Sequence, residues 1–180
     1  SSDVCSSDLN AAGHGAPGLA RPFLEGPSID HNFVAGHYFS YSGSAPFRHL
    51  VYPVPGSGSL GIHATLDLAG QIRFGPGVEW RNNLDYAFGP VQEKQAQFVQ
   101  SIRSYYPGLD ETRLQAGYVG IRPRLTAPGE PLSDFMILGP ENHQVDGLVQ
   151  LLGIESPGLT ACLAIAGIVA AQLSSSRNSH

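Results

Sequence analysis

Cysteine is nearly missing from this sequence: there are two in 180 residues, at positions 5 and 162. Two thiols so far apart exclude a disulfide framework. The seven histidines are scattered, with no close helical pair and no cysteine support, so no metal site is expected. Charge is scarce too. Lys, Arg, Asp and Glu make up 14% of the chain, the net charge is -5, and no basic stripe exists. A nucleic acid partner is therefore not expected. Long apolar runs are also absent. The longest, Leu159–Leu173, falls short of the roughly 20 residues that a membrane span needs. It predicts a buried helix and no transmembrane segment, with Cys162 as a buried, inert thiol. The N-terminus carries no basic region followed by an apolar one, so a cytoplasmic protein, at most peripheral to a membrane, is expected. The G-x-S-x-G elbow and the G-x-x-x-x-G-K phosphate loop do not occur.

What remains is globular. Apolar residues make up 42%, and 22 glycines with 14 prolines point to many turns and short strands. Strand patterns recur at 33–41, 49–54, 60–66 and 71–74, with turns at 55–58 and 67–70. Residues 91–106 form the one clear amphipathic helix, with Val91, Phe98, Ile102 and Tyr105 at helical spacing and Pro107–Gly108 as its stop. Three further strands are expected at 114–122, 135–138 and 148–152, and a helix at 159–173. The order of strands, helix, strands, helix predicts an α+β fold: a mixed, mainly antiparallel sheet with flanking helices. There is no internal repeat.

Three stretches have chemical potential. In LVQLLGIESPGLTACLAIAG (148–167), a strand runs into a glycine turn and a small-residue helix. Ser156 suits an N-cap and Pro157 the first helical position. The N–H groups of Gly158, Leu159 and Thr160 would then point out of the helix start and favour an anion or an electron-rich oxygen. A plain strand-to-helix turn would look the same. In GYVGIRPRLTAPGEP (117–131), Arg122 stands before Pro123. A guanidinium held this way grips a carboxylate with two parallel bonds, although a solvated surface arginine is the commoner case. Arg124 shares its face if the strand continues past Pro123. In GIHATLD (61–67), alternation puts His63 and Thr65 on one face and Ile62 and Ala64 on the other. A histidine there can take a proton from a hydroxyl, or be merely structural.

Together these segments resemble, in order, the C-terminal part of FAD-dependent oxidoreductases of the D-amino-acid oxidase superfamily. NAAG (10–13), YPVP (52–55) with LGIHATLD (60–67), GYVGIRP (117–123) and GIESPGLT (153–160) carry the likeness, which is strongest to the L-2-hydroxyglutarate dehydrogenase and oxidase group. The resemblance implies FAD as cofactor and hydride transfer from a small carboxylate substrate. Arg122 would bind the substrate carboxylate, with His63 as base or hydroxyl partner and Thr65 beside it. Asn10, Ala11, Ala12 and Gly13 would lie near the FAD. Gly153, Ile154, Glu155, Ser156, Pro157, Gly158, Leu159 and Thr160 would line the pyrimidine side of its ring. The electron acceptor is left open. So is the choice between a 2-hydroxy acid and an amino acid (glycine, sarcosine or a D-amino acid), because both carry a carboxylate. A non-catalytic α+β binding domain is a third reading.

The likeness is to the C-terminal part of the family, and it implies that the adenine half of FAD would bind upstream of NAAG. Residues 1–9, SSDVCSSDL, resemble the translation of a short-read sequencing adapter. The expected layout is therefore a foreign segment at 1–9, a remnant of the FAD-binding domain and its connection at 10–32, and a substrate-binding domain at 33–140. A returning strand and helix of the FAD domain follow at 141–173, then a tail at 174–180. On this layout the chain is a fragment, expected to be inactive alone.

Overall fold

The computed structural model describes residues 7–26, 29–54 and 61–177. In chain order the elements are β1 (Asp8–Asn10), α1 (Ala16–Ala20), β2 (Asn32–Tyr41), β3 (His63–Leu66), β4 (Ile72–Gly75), β5 (Glu79–Arg81), α2 (Val91–Arg103), β6 (Leu114–Arg124), β7 (Met136–Leu138), α3 (Pro140–His143), β8 (Leu148–Leu152) and α4 (Gly158–Arg177). They form two compact units: Ser1–Asn32 with Arg122–His180, and Phe33–Ile121. The fold is α+β, as expected.

The Phe33–Ile121 unit is built on one five-stranded sheet, ordered β3-β4-β2-β5, with β6 also paired to β2. β2 pairs antiparallel with β4 at Phe39–Tyr41 and with β5 at Phe33–Ala35. Alternation decides which side chains enter the core. Phe39, Tyr41, Ala64, Ile72 and Phe74 point inward and meet Phe98, Val99 and Ile102 of α2. Val91 and Tyr105 pack at the margin of the same cluster, so the helical spacing read from sequence is the buried face. The helix ends at Arg103, short of the expected Tyr106.

One expected strand fails. Of residues 49–54, only Val51 pairs, exchanging two hydrogen bonds with Ala64 at 2.9 Å each. Pro53 has no N–H with which to extend the ladder. The turn expected at 55–58 lies outside the described residues.

The other unit holds a three-stranded sheet, ordered β1-β8-β7, with β1 parallel and β7 antiparallel to β8. β8 reads LVQLL because both its faces are covered. Leu152 packs with Ala16 and Ala20 of α1. Val149 and Leu151 pack with Ile165, Val169 and Leu173 of α4. β1 takes in Asp8 and Leu9, which pair with Leu148 and Val149, although both lie in the segment read as foreign. β7 lies in the stretch read as substrate domain, yet it pairs with β8 of this unit.

The last helix corrects two expectations. It runs to Arg177, four residues into the expected tail. It is also not buried all round. Ile165 and Val169 face the sheet, but Leu159 is 90% exposed, Leu163 is 85% exposed, and Cys162 is exposed. One sheet face can cover only one stripe of a helix, and a long apolar run does not say which stripe that is. Among the described residues no helix is long and apolar enough to cross a membrane.

Candidate functional site

The turn between β8 and α4 is the best-defined part. Gly153 has φ +66, and a Cβ there would stand 2.5 Å from Leu125, so the position demands glycine on two counts. Its N–H donates to Nε2 of His31 at 3.0 Å. An accepting Nε2 carries no proton, so His31 is neutral with its proton on Nδ1. Burial lowers its pKa first, the nearby His14 lowers it further, and Asp30 opposes both. The His14 ring stands edge-on to His31, with centroids 6.3 Å apart.

The helix begins at Gly158, later than the expected start after Ser156. The Gly158 N–H is not free, because it donates to the Glu155 carbonyl at 2.6 Å. Leu159 and Thr160 remain as first-turn N–H groups pointing out of the helix start. The Glu155 side chain is also engaged. Arg124 Nε and one terminal nitrogen donate to its two carboxylate oxygens at 2.9 and 3.1 Å.

Beside this turn runs the segment after β1. Asn10 is buried, and its Nδ2 donates to the Ala16 carbonyl at 2.9 Å and to Gln150 Oε1 at 2.7 Å. Its Oδ1 accepts from the Ala12 N–H at 3.3 Å. The Asn10 amide is thus spent inside the protein, where it also gives a donor to the side-chain oxygen of Gln150, buried in an apolar strand. What the segment offers outward is the exposed backbone of Ala11, Ala12 and Gly13. Gly13 has φ +55, and nothing stands within 4 Å of where its Cβ would be.

Two arginines rise from the end of β6. Strand alternation puts Arg122 and Arg124 on the same face, as expected. Their states differ. Arg124 is held by Glu155, whereas half-buried Arg122 has no hydrogen bond or ion pair among the described residues.

His63 and Thr65 belong to the other unit. Ile62, Ala64 and Leu66 pack on its core, which leaves His63 and Thr65 on the opposite face of β3, as alternation predicts. His63 is buried, with its ring centroid 4.1 Å from that of Tyr52. The Thr65 hydroxyl donates to the Arg73 carbonyl at 3.3 Å. The expected site residues therefore fall into two groups. Residues 10–13, 122 and 153–160 share one unit, while His63 and Thr65 stand on the other.

Sequence reasoning missed His31 and the Arg124–Glu155 pair, which no local spacing announces. It also missed a charged cluster around His37 on β2. Glu79 accepts from Arg81 at 3.1 Å and from Lys94, and lies 3.6 Å from His37. Burial would raise the Glu79 carboxyl, but the Lys94 and Arg81 charges hold it below its ordinary value. Burial and the Lys94 charge lower His37, against the pull of Glu79. Arg81 also donates to the carbonyls of Asp85 and Ala87. The cluster is thereby saturated internally and pins the loop before α2. No group of three or more His, Cys, Asp or Glu able to hold a metal occurs among the described residues.

A glycine turn feeding a helix, with a second glycine turn alongside on a parallel strand, is a frame for a flat, electron-rich ligand. The family model described as FAD dependent oxidoreductase matches residues 7–172, and the chain belongs to this FAD-dependent family. It is 46% identical to the mitochondrial L-2-hydroxyglutarate dehydrogenase of Arabidopsis thaliana, over 90% of this chain and 36% of that protein. The chain thus spans about a third of the length of that relative. Its fold is shared with the dithionite-reduced L-α-glycerophosphate oxidase of Mycoplasma pneumoniae with FAD bound: TM-score 0.73, 23% identity, 92% of this chain and 42% of the other.

Proposed function

We propose that the chain supplies the substrate-binding part of an enzyme that oxidises a small 2-hydroxy acid of the L-2-hydroxyglutarate kind to the 2-oxo acid. The observation that carries this reading is the contrast between two arginines on one strand face. Arg124 is neutralised by Glu155, while Arg122 is half-buried with no counter-charge among the described residues. A guanidinium in that state is suited to an incoming carboxylate. The homology to a 2-hydroxyglutarate dehydrogenase supports a 2-hydroxy acid over an amino acid.

The residues present fit a flavin. Gly13 offers backbone with open space before it. The start of α4 offers Leu159 and Thr160 N–H groups where partial positive charge meets electron-rich oxygens. Bound FAD supplies a two-electron acceptor for the hydride. The chain's residues do the rest. Arg122 holds the carboxylate and so fixes the adjoining carbon. The hydroxyl proton goes to a general base, the role that the family likeness gives His63, as the C–O bond becomes C=O and the hydride leaves with both electrons. Asn10 holds the 11–13 backbone in place, and Gly153 does the same for the opposite turn.

The 180 residues by themselves are proposed to hold FAD weakly and not to turn over. Support comes from the 36% span of the relative. A yellow, active preparation of this chain would overturn that statement. The substrate reading is tested by anaerobic flavin bleaching in the FAD-loaded, full-length enzyme. L-2-hydroxyglutarate should bleach it and glycine or D-alanine should not. Arg122→Met should slow bleaching by about 100-fold, the scale of one lost charged contact. Bleaching by the amino acids alone would transfer the assignment to an amino-acid oxidase.

A further inference from the structure

Arg122 and the Gly153–Gly158 turn are distant in sequence, yet one pair of side chains joins their supports. Arg124 stands two residues beyond Arg122 on β6, across Pro123, whose ring fixes the local backbone. Glu155 stands in the middle of the turn, and its carbonyl accepts the Gly158 N–H that opens α4. The two side chains meet through parallel bonds of 2.9 and 3.1 Å, and each is only 16% exposed. A fork-to-fork contact fixes orientation as well as distance, which a single bond does not. With little exposure, water competes weakly for it.

We propose that Arg124 and Glu155 are positioning residues: their pair holds the Arg122 end of β6 in register with the Gly153–Gly158 turn. This rests on the reading of Arg122 as carboxylate anchor and of the turn as flavin edge. Neither residue has to touch substrate or flavin. In a 2-hydroxy acid the carbon that gives up hydride is bonded directly to the carboxylate. An error in register between anchor and flavin edge is therefore passed undiminished to the reacting carbon. The Glu155 carboxylate, fully used by Arg124, acts through the backbone it carries.

The test uses the 180-residue chain, labelled with nitrogen-15. Hydrogen exchange at the Gly153 and Gly158 amides, both hydrogen-bonded, reads how firmly the turn is held. Glu155→Gln should speed it about tenfold or more, the scale of a charged hydrogen bond. The reversed pair, Arg124→Glu with Glu155→Arg, should restore most of the protection. Unchanged exchange in Glu155→Gln overturns the proposal. If that variant does not fold, Arg124→Lys keeps the charge, loses the fork, and is read by the same criterion. Millimolar FAD supplies the second readout, which a merely structural pair would not move. It should shift these amides in the wild type, less in Glu155→Gln, and again in the reversed pair. Equal shifts in all three overturn the positioning role while leaving the flavin reading intact. No shift in the wild type sinks the flavin reading, and the positioning role with it, whatever the exchange rates.

Discussion

At the scale of single residues, the site depends on groups whose state is fixed by one partner. His31 accepts the Gly153 N–H through Nε2, which only a neutral imidazole can do. Its folded pKa lies below the ordinary value of 6.5, and so does that of His37. Stability from both is therefore full above about pH 6.5 and is lost as the pH falls through the lowered values. Melting temperature should drop between pH 7.5 and 5, and His31→Gln should flatten part of that slope. A slope unchanged in the variant would contradict the assignment. Gly153→Ala should destabilise the protein by about 1–3 kcal/mol in a denaturant titration, from positive φ and the Leu125 contact together. Arg122 and His63 were legible in the sequence as candidates. What set Arg122 apart from Arg124 was not, because the partner that engages Arg124 lies 31 residues away.

At the scale of elements, legibility follows the strength of the periodic pattern. α2 shows its buried face in its spacing, and Phe98→Ala should cost about 3–5 kcal/mol. β8 was bounded correctly because its apolar run is short and flanked by turn residues. β1 and β5, with three residues each, are too short to carry a pattern of their own. They exist through pairing with β8 and β2. α4 shows the limit of composition. Its apolar residues surround the helix, so sequence alone overstated its burial. The exposed stripe predicts that Cys162 reacts with a thiol reagent in the folded protein, detectable by mass spectrometry of the 158–177 region. Protection of that thiol until the protein unfolds would count against the helix placement.

At the scale of the whole molecule, the fold class was legible from the alternation of strands and helices. The division into units was not, because it depends on pairing between distant strands. The Phe33–Ile121 unit is one continuous stretch of chain, whereas the other is assembled from two stretches. β1 has β8 as its strand partner, and Asn10 meets Gln150 across 140 residues of sequence. On a ribosome working at roughly 5–20 residues per second, the continuous unit can fold as it emerges. β1 must wait on the order of ten seconds or more for its partner to be made. β1 is thus built in only after the five-stranded sheet that follows it, and nascent chains stopped before Leu148 should leave the NAAG turn open to protease while that sheet is already protected.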